Sequence, residues 1–282
     1  MSLIDKTTKT LNFETYDGIL YHYTSIQSAI NIIQEKKLYA TDILYVNDPL
    51  EIKYSLEVFK NLLLVESESQ GLANLLKQKD TVKSNTFSII KNIMDFIHDG
   101  DKVSHFLLSF SRKHDSLSQW YMYAEGCEGL CLGFNKEDHL NSKEQLYKVK
   151  YLNEEELANK FRTISEQLLT EKLDIDKTMD FIIDLYFFVL PFLKSIFFTE
   201  EEEVRFTNVY SAGVAVKYRN YKGNLVPYRE FEIAPENSKR KFTLKEIWIG
   251  PKCKIKDKDL SNFLKSKGFS DVEVKLSTGK IR

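Results

Sequence analysis

The residues best placed to do chemistry are a histidine in Tyr21-His22-Tyr23-Thr24 and a carboxylate in the acidic segment that starts at Glu201. A histidine, an aromatic residue and a glutamate carried on three strands can hold a dinucleotide and cleave its glycosidic bond. Cleavage of that bond builds positive charge on the ribose, and a nearby carboxylate stabilises the charge. A histidine on a neighbouring strand can hydrogen-bond a ribose hydroxyl. These residue types predict a nucleotide-binding cleft.

Spacing adds polar residues to this set. Glu203 and Arg205 are two apart, so a strand presents both on one face, where buried charges need partners. The two could pair with each other, or Arg205 could bind a pyrophosphate through two parallel hydrogen bonds. Ser109 and Ser111 also share a face and are small enough to let a ligand approach. Gln119 is a further polar candidate for a ligand contact.

Each candidate also has a purely structural interpretation. His22, between two tyrosines, could be a half-buried histidine with its hydrogen bonds satisfied. Tyr39 could be an aromatic of the core or its rim. Glu203 could simply be the ion-pair partner of Arg205.

Local patterns predict the elements that must position these residues. Residues 19–24 predict a short strand, and Ser25 is the predicted N-cap of a helix over 25–36. Residues 38–41 predict a second short strand. Asp48, Pro49 and Glu51 predict the start of another helix through a cap, a first-turn proline and a capping box.

The rest of the chain continues this mixture. Further strands are predicted at 105–111, 129–134, 145–152, 203–206, 227–233, 246–250 and 272–276, and further helices at 84–98, 116–123, 153–198 and 257–267. The sequence therefore predicts an α+β fold with a mixed, mostly antiparallel sheet and flanking helices. No linker or repeat divides it, which predicts a single domain over 1–282 with a helical insertion at about 153–198.

Charge and cysteine usage restrict the functional classes. The net charge of −1 lacks the basic character typical of nucleic-acid binding, although 217–241 is locally cationic. That region could be a solvated face or a polyanion site. The three cysteines include no Cys-x-x-Cys pair, so no metal site is expected, and a reduced cytoplasmic protein is the simplest interpretation. The apolar run 181–193 is too short and interrupted to span a membrane and predicts a core helix.

Several motifs together resemble the bacterial family DUF2971, a family of unknown function. They are Tyr21-His22-Tyr23-Thr24, Val46 to Glu51, Leu108 to Ser111, Asp115 to Tyr123, Glu201 to Arg205 and Ile247 to Pro251. Their order covers nearly the whole chain.

The opening order of a strand with histidine, a helix and a strand with tyrosine is also similar to the ADP-ribosyltransferase superfamily. There a His-Tyr-Glu or Arg-Ser-Glu set lies on three strands around NAD. The resemblance implies an ADP-ribosyltransferase-like fold. It matches His22 to the histidine, Tyr39 to the aromatic residue and Glu203, or alternatively Glu201, to the catalytic carboxylate.

The expected function follows from this resemblance. It implies that NAD is a substrate, that a small-molecule nucleotide is bound, and that a protein or nucleic acid could accept ADP-ribose. The setting that it implies is bacterial stress or phage defence. Tyr23, Thr24, Ser109, Ser111, Gln119 and Arg205 are the expected cofactor-binding residues. The alternatives are a non-catalytic ligand- or partner-binding sensor module and a nucleic-acid-binding protein that uses the 217–241 cations.

Overall fold

The computed structural model describes residues 3–46, 103–136, 144–170, 175–211, 216–221, 223–234 and 242–279. The helices predicted from Asp48 and over 84–98 lie outside these residues. So do four of the cations noted in 217–241, namely Lys222, Lys239, Arg240 and Lys241.

The described strands and helices alternate along the chain. The strands are β1 (Leu20–Thr24), β2 (Lys37–Asp42), β3 (Val103–Ser111), β4 (Leu130–Lys136), β5 (Glu144–Lys148), β6 (Lys150–Leu152), β7 (Leu193–Ser195), β8 (Glu203–Ser211), β9 (Lys217–Tyr221), β10 (Asn224–Ala234), β11 (Phe242–Ile249) and β12 (Glu273–Leu276). The helices are α1 (Leu3–Leu11), α2 (Ile26–Glu35), α3 (Leu117–Tyr123), α4 (Glu154–Thr170), α5 (Ile175–Phe188) and α6 (Asp257–Ser266). Short 3-10 helices cover Ile43–Tyr45, Leu190–Phe192 and Ile196–Glu201.

Helix α2 forms for the local reasons that the sequence indicates. The Ser25 hydroxyl accepts a hydrogen bond from the Ser28 N–H at 3.0 Å and caps the first turn. Ala29 and Ile33 are four residues apart and are buried on one face. The helix ends at Lys36, whose left-handed φ of 55° turns the chain straight into β2.

Most of the strands form one large, mainly antiparallel sheet. Its order is β1-β4-β11-β10-β2-β3-β8-β5, with β12 beside β11 and β9 beside β10. Strand β1 also pairs with β3, so β1, β4, β11, β10, β2 and β3 close into a ring. Strands β6 and β7 form a separate parallel pair. The predicted fold class is confirmed.

The core lies on the inner face of this ring. Alternate residues of the strands point inward and pack against α2 and α6. The aromatic rings of Phe106, Phe134, Phe206 and Phe242 are fully buried there. Each buried ring stabilises the fold by about 1.5–3 kcal/mol relative to an exposed one.

Two sequence predictions are wrong in detail. A single strand over 145–152 is not formed, because Lys148 pairs with β8 whereas Lys150 pairs with Leu193 of β7. Among the described residues of 153–198, only α4 and α5 are α-helical. Pro191 lies in a 3-10 turn, and β7 follows directly.

The apolar segment at the end of α5 belongs to the core. Phe181, Leu185 and Phe187 are buried, and α1 packs against both α4 and α5. None of the helices in the described part of the chain combines the length and the hydropathy that a membrane crossing requires.

Candidate functional site

Strand β1 places its alternate residues in two different environments. Leu20 belongs to the core of the ring, and His22 lies on the same side, half-buried. Tyr21 and Tyr23 point the other way, into a smaller cluster with Trp120 of α3. The Tyr23 and Trp120 rings are 4.9 Å apart edge to face.

Tyr23 is engaged entirely within the protein. Its hydroxyl donates to the Lys113 carbonyl at 2.8 Å and accepts from the Ser116 N–H at 3.0 Å. Thr24 is buried as well, with 7% of its surface exposed. The structure therefore gives Tyr23 a packing role and keeps Thr24 away from solvent.

The sheet opens along one edge of β3. Strand β8 occupies one edge of β3 from Val103 to Ser111. On the other edge, β2 pairs only as far as Leu107, and β1 joins only at Ser111. Among the described strands, none pairs with the intervening residues Leu108 to Phe110 on that edge. We call this interruption in the strand pairing the opening.

His22 lies in this opening. Its Nδ1 is 3.3 Å from the Ser109 carbonyl oxygen, and its ring meets Phe110 at 6.1 Å. A carbonyl only accepts, so Nδ1 carries the proton and Nε2 of a neutral ring remains an acceptor. Burial lowers the pKa of His22, the hydrogen bond to Ser109 raises it, and the charge of Arg219 lowers it. The result is a pKa below the ordinary value, which favours the neutral ring.

Ser109 connects this histidine to β8. Its side chain is exposed and hydrogen-bonds the Glu203 carboxylate. Ser111 is buried, and its hydroxyl donates to the Glu201 carbonyl at 2.8 Å. The two serines therefore lie beside the two glutamates, as adjacent antiparallel strands require, with Ser111 directly opposite Glu203.

Below the serines lies a buried cluster of four charges. Arg205 binds Glu203 through two hydrogen bonds, from Nε at 2.7 Å and from Nη2 at 2.9 Å. Lys194 of β7 donates to Glu201 at 2.5 Å and to Glu203 at 3.2 Å. All four residues are 7% exposed or less. The predicted pairing of Glu203 with Arg205 is therefore present, with Lys194 as an additional cation.

The two carboxylates respond differently to this environment. Burial raises the pKa of Glu201, and Lys194 only partly offsets it. Burial also raises the pKa of Glu203, but Arg205 and Lys194 outweigh it and hold the value well below its usual range. The difference follows from the number of cations, since Glu203 is paired with Arg205 as well as with Lys194.

Tyr39 lies on the outer face of β2 in an aromatic group around Arg219. The Tyr39 and Tyr228 ring centroids are 4.5 Å apart, and the guanidinium carbon of Arg219 is 5.7 Å from each ring. Arg219 donates through Nη2 to the Thr41 hydroxyl at 2.8 Å. The Tyr39 hydroxyl is bound by Glu35.

Arg219 acts on His22 through its charge. Burial lowers the pKa of Arg219, and its charge lowers the pKa of His22. The buried Nε of Arg219 has no hydrogen-bond partner among the described residues. Two groups of contacts result: Ser109 binds both Glu203 and His22, and Arg219 lies against Tyr39. The arrangement offers aromatic faces, a guanidinium, an imidazole acceptor and carboxylates.

Two of the residues predicted to bind a ligand are enclosed within the protein. Gln119 is buried in α3, and its Nε2 has no partner in the described structure. Arg205 is enclosed, since its Nη1 donates to the Pro191 carbonyl at 2.6 Å. It is a partner of Glu203 rather than an exposed phosphate ligand.

Sequence reasoning missed two residues and undervalued a third. Lys194 lies in a segment that the sequence predicts to be helical. Only the need of a buried Glu203 for a cationic partner could have indicated such a residue. Tyr123, which donates to Glu201 at 3.1 Å, lies in the predicted helix 116–123 without a role assigned from the sequence. Arg219 lies in the locally cationic segment 217–241, and the sequence does not distinguish it from the other cations there.

Comparison with known proteins gives a family and no activity. The family model described as "Protein of unknown function (DUF2971)" matches residues 119–206 and confirms the family resemblance drawn from the motifs. The matched segment runs from Gln119 within α3 to Phe206 within β8, and it includes Glu201, Glu203 and Arg205. No curated protein and no solved structure matches the chain.

Proposed function

We propose that this protein binds NAD in the opening between β1, β2 and β3 and breaks the nicotinamide–ribose bond. The observation that carries the proposal is that Ser109 binds Glu203 through its side chain and His22 through its carbonyl, while the charge of Arg219 acts on His22. These four residues supply a carboxylate, a hydroxyl, an imidazole and a guanidinium from separate strands. Such a combination suits a charged ligand that contains ribose.

Each group has a task that fits its surroundings. A neutral His22 can accept a hydrogen bond from a ribose hydroxyl at Nε2. Arg219 offers its Nε to a phosphate oxygen, and charge-assisted bonds of this kind are the stronger ones. The Tyr39 and Tyr228 rings offer faces on which a base can stack.

The reaction balances without another cofactor. The bond between ribose C1′ and the nicotinamide nitrogen breaks, and nicotinamide leaves with the electron pair. A bond forms from C1′ to a water oxygen or to an acceptor hydroxyl, which releases a proton. The buried carboxylates stabilise the positive charge that develops on the ribose. A protein or nucleic-acid acceptor would make the enzyme a transferase suited to bacterial stress or phage defence.

The test is direct. Purified protein is incubated with NAD, alone and with lysate or nucleic acid, and nicotinamide release is followed by chromatography. We expect release by the native protein and loss of it in His22→Ala. His114→Gln, an exposed histidine on another face, is the matched control and should keep the activity. Absence of both NAD binding and nicotinamide release in the native protein would refute the proposal.

One observation favours a non-catalytic nucleotide sensor as the second candidate. Glu203 is held by Arg205 and Lys194, and the Tyr39 hydroxyl is held by Glu35. Two of the residues proposed for catalysis are thus engaged within the protein. A calorimetric titration that shows NAD binding without nicotinamide release would support the sensor.

A further inference from the structure

The acceptor capacity of Glu203 is used up inside the protein. An ionised carboxylate has about four lone-pair positions. Arg205 takes two of them, Lys194 takes one, and the Ser109 hydroxyl takes another. A ligand hydroxyl would have to displace one of these buried contacts.

Glu201 is held less completely. Its Oε2 accepts from Lys194 at 2.5 Å, and its Oε1 accepts from the Tyr123 hydroxyl at 3.1 Å. No further hydrogen bond to its carboxylate is present in the described structure, so about two acceptor positions remain. Both contacts come from groups that fix its orientation.

The backbone fixes the two glutamates side by side. Glu202 between them adopts a left-handed conformation with φ of 43°, so both neighbouring side chains reach Lys194. Ser111 holds the Glu201 carbonyl, and the Tyr151 hydroxyl accepts from the Glu203 N–H at 2.7 Å. A non-glycine residue in this conformation is uncommon and marks a locally constrained turn.

We propose that Glu201 is the carboxylate that receives the ribose hydroxyl of the ligand, and that Glu203 anchors it through their shared partner Lys194. This assignment rests on the proposed function. Burial raises the pKa of Glu201, and a carboxylate with higher proton affinity is the better acceptor for a neutral hydroxyl. Glu203 with Arg205 serves instead as a fixed charge pair that keeps Lys194 in place.

The test compares Glu201→Gln with Glu203→Gln, each measured for NAD affinity by calorimetry and for thermal unfolding. In Glu201→Gln, Lys194 retains Glu203 and the amide oxygen can still face Lys194. We therefore expect a fall in the unfolding midpoint that is clearly smaller than in Glu203→Gln, and an affinity for NAD at least about tenfold weaker. In Glu203→Gln a bidentate buried ion pair is lost, so the unfolding midpoint should fall clearly.

The outcomes separate the two ideas. If the native protein binds no NAD, the proposed function fails, and this assignment fails with it. If the native protein binds NAD and Glu201→Gln binds it equally well, only the assignment of Glu201 is overturned. Native stability in Glu203→Gln together with lost NAD affinity would reverse the two roles.

Discussion

At the scale of single residues, the hydroxyl and the ring of Tyr39 make different contacts. Glu35 binds that hydroxyl, whereas the ring faces Tyr228 and Arg219. The part of Tyr39 that a ligand could use is therefore the aromatic face.

This division gives a prediction with an internal control. Tyr39→Phe keeps the ring and should leave NAD affinity within about twofold, while Tyr39→Ala should weaken it about tenfold, the usual worth of a base–aromatic stack. Calorimetric titration of both variants measures the difference. Equal losses in both variants would show that the hydroxyl, not the ring, matters.

His105 is a second residue whose chemistry is set by burial. It is 2% exposed, neither ring nitrogen has a partner in the described structure, and its ring lies 5.7 Å from Phe187. Burial lowers the pKa of His105 to about 3. The folded protein therefore keeps this ring neutral at pH values where the unfolded chain already takes up a proton.

The sign of the pH effect follows from this difference. The unfolded chain binds the proton below about pH 6.5, so the free energy of unfolding decreases as pH falls from there towards 3. At pH 5 the loss due to His105 is about 2 kcal/mol. His105→Phe should remove that part of the loss, measured by urea unfolding at about pH 7.5 and pH 5. The exposed His114→Gln is the control. If the free energy of unfolding depends on pH in the same way in His105→Phe and in the native protein, the prediction is contradicted.

At the scale of elements, local signals were enough for the strand–helix–strand unit that carries His22. The Ser25 cap, the apolar face of α2 and the short strands on either side are all encoded within about 20 residues. The opening at Ser109 could not be predicted this way. It depends on where β2 and β1 leave β3, and those pairings join residues far apart in sequence.

The same limit applies around Glu203. The spacing of Glu203 and Arg205 predicts a shared face, but their enclosure depends on Lys194 of β7 and on Pro191 in the 3-10 helix before it. The split between β5 and β6 likewise follows from two different partner strands. Periodicity identifies which side chains share a face, and only the tertiary pairing decides what covers that face.

A testable contact between elements is centred on Asp115. Its carboxylate accepts from Trp120 Nε1 at 2.7 Å and from the Ser277 hydroxyl at 2.6 Å, and it also accepts from the Thr278 N–H at 2.8 Å. It thereby ties α3 to the segment that follows β12. Tyr123, the last residue of α3, donates a hydrogen bond to Glu201.

Asp115→Ala should release this tie. We expect a loss of about 1–3 kcal/mol in the free energy of unfolding, because several hydrogen bonds are removed and the buried indole N–H loses its acceptor. Hydrogen exchange measured by mass spectrometry should speed up in 273–279 and in α3. Asp115→Asn retains one acceptor oxygen. Its free energy of unfolding should therefore lie between those of the native protein and Asp115→Ala. An unchanged exchange rate of 273–279 in Asp115→Ala would show that the pairing of β12 with β11 holds this segment without Asp115.

At the scale of the whole molecule, the charge balance decides what kind of anion the site can attract. The net charge is −1. On the described face, Lys217 and Lys37 both pair with Glu230. Arg219 differs from these lysines because its contacts are a hydroxyl and aromatic rings. Among the residues that the structure describes, the proposed ligand therefore meets one guanidinium at the opening rather than a group of cations.

This argument predicts a weak dependence of NAD binding on salt. A single cation–phosphate contact gives a slope near one, so the affinity should change by no more than about fourfold between about 50 and 200 mM NaCl. Arg219→Gln should weaken NAD binding about tenfold or more, because a charge-assisted bond is lost, whereas the matched control Lys217→Gln should not. A single-stranded oligonucleotide that binds tightly and loses about a thousandfold in affinity over the same salt range would instead favour a polyanion site in 217–241. Filter binding of the oligonucleotide beside calorimetry of NAD distinguishes the two.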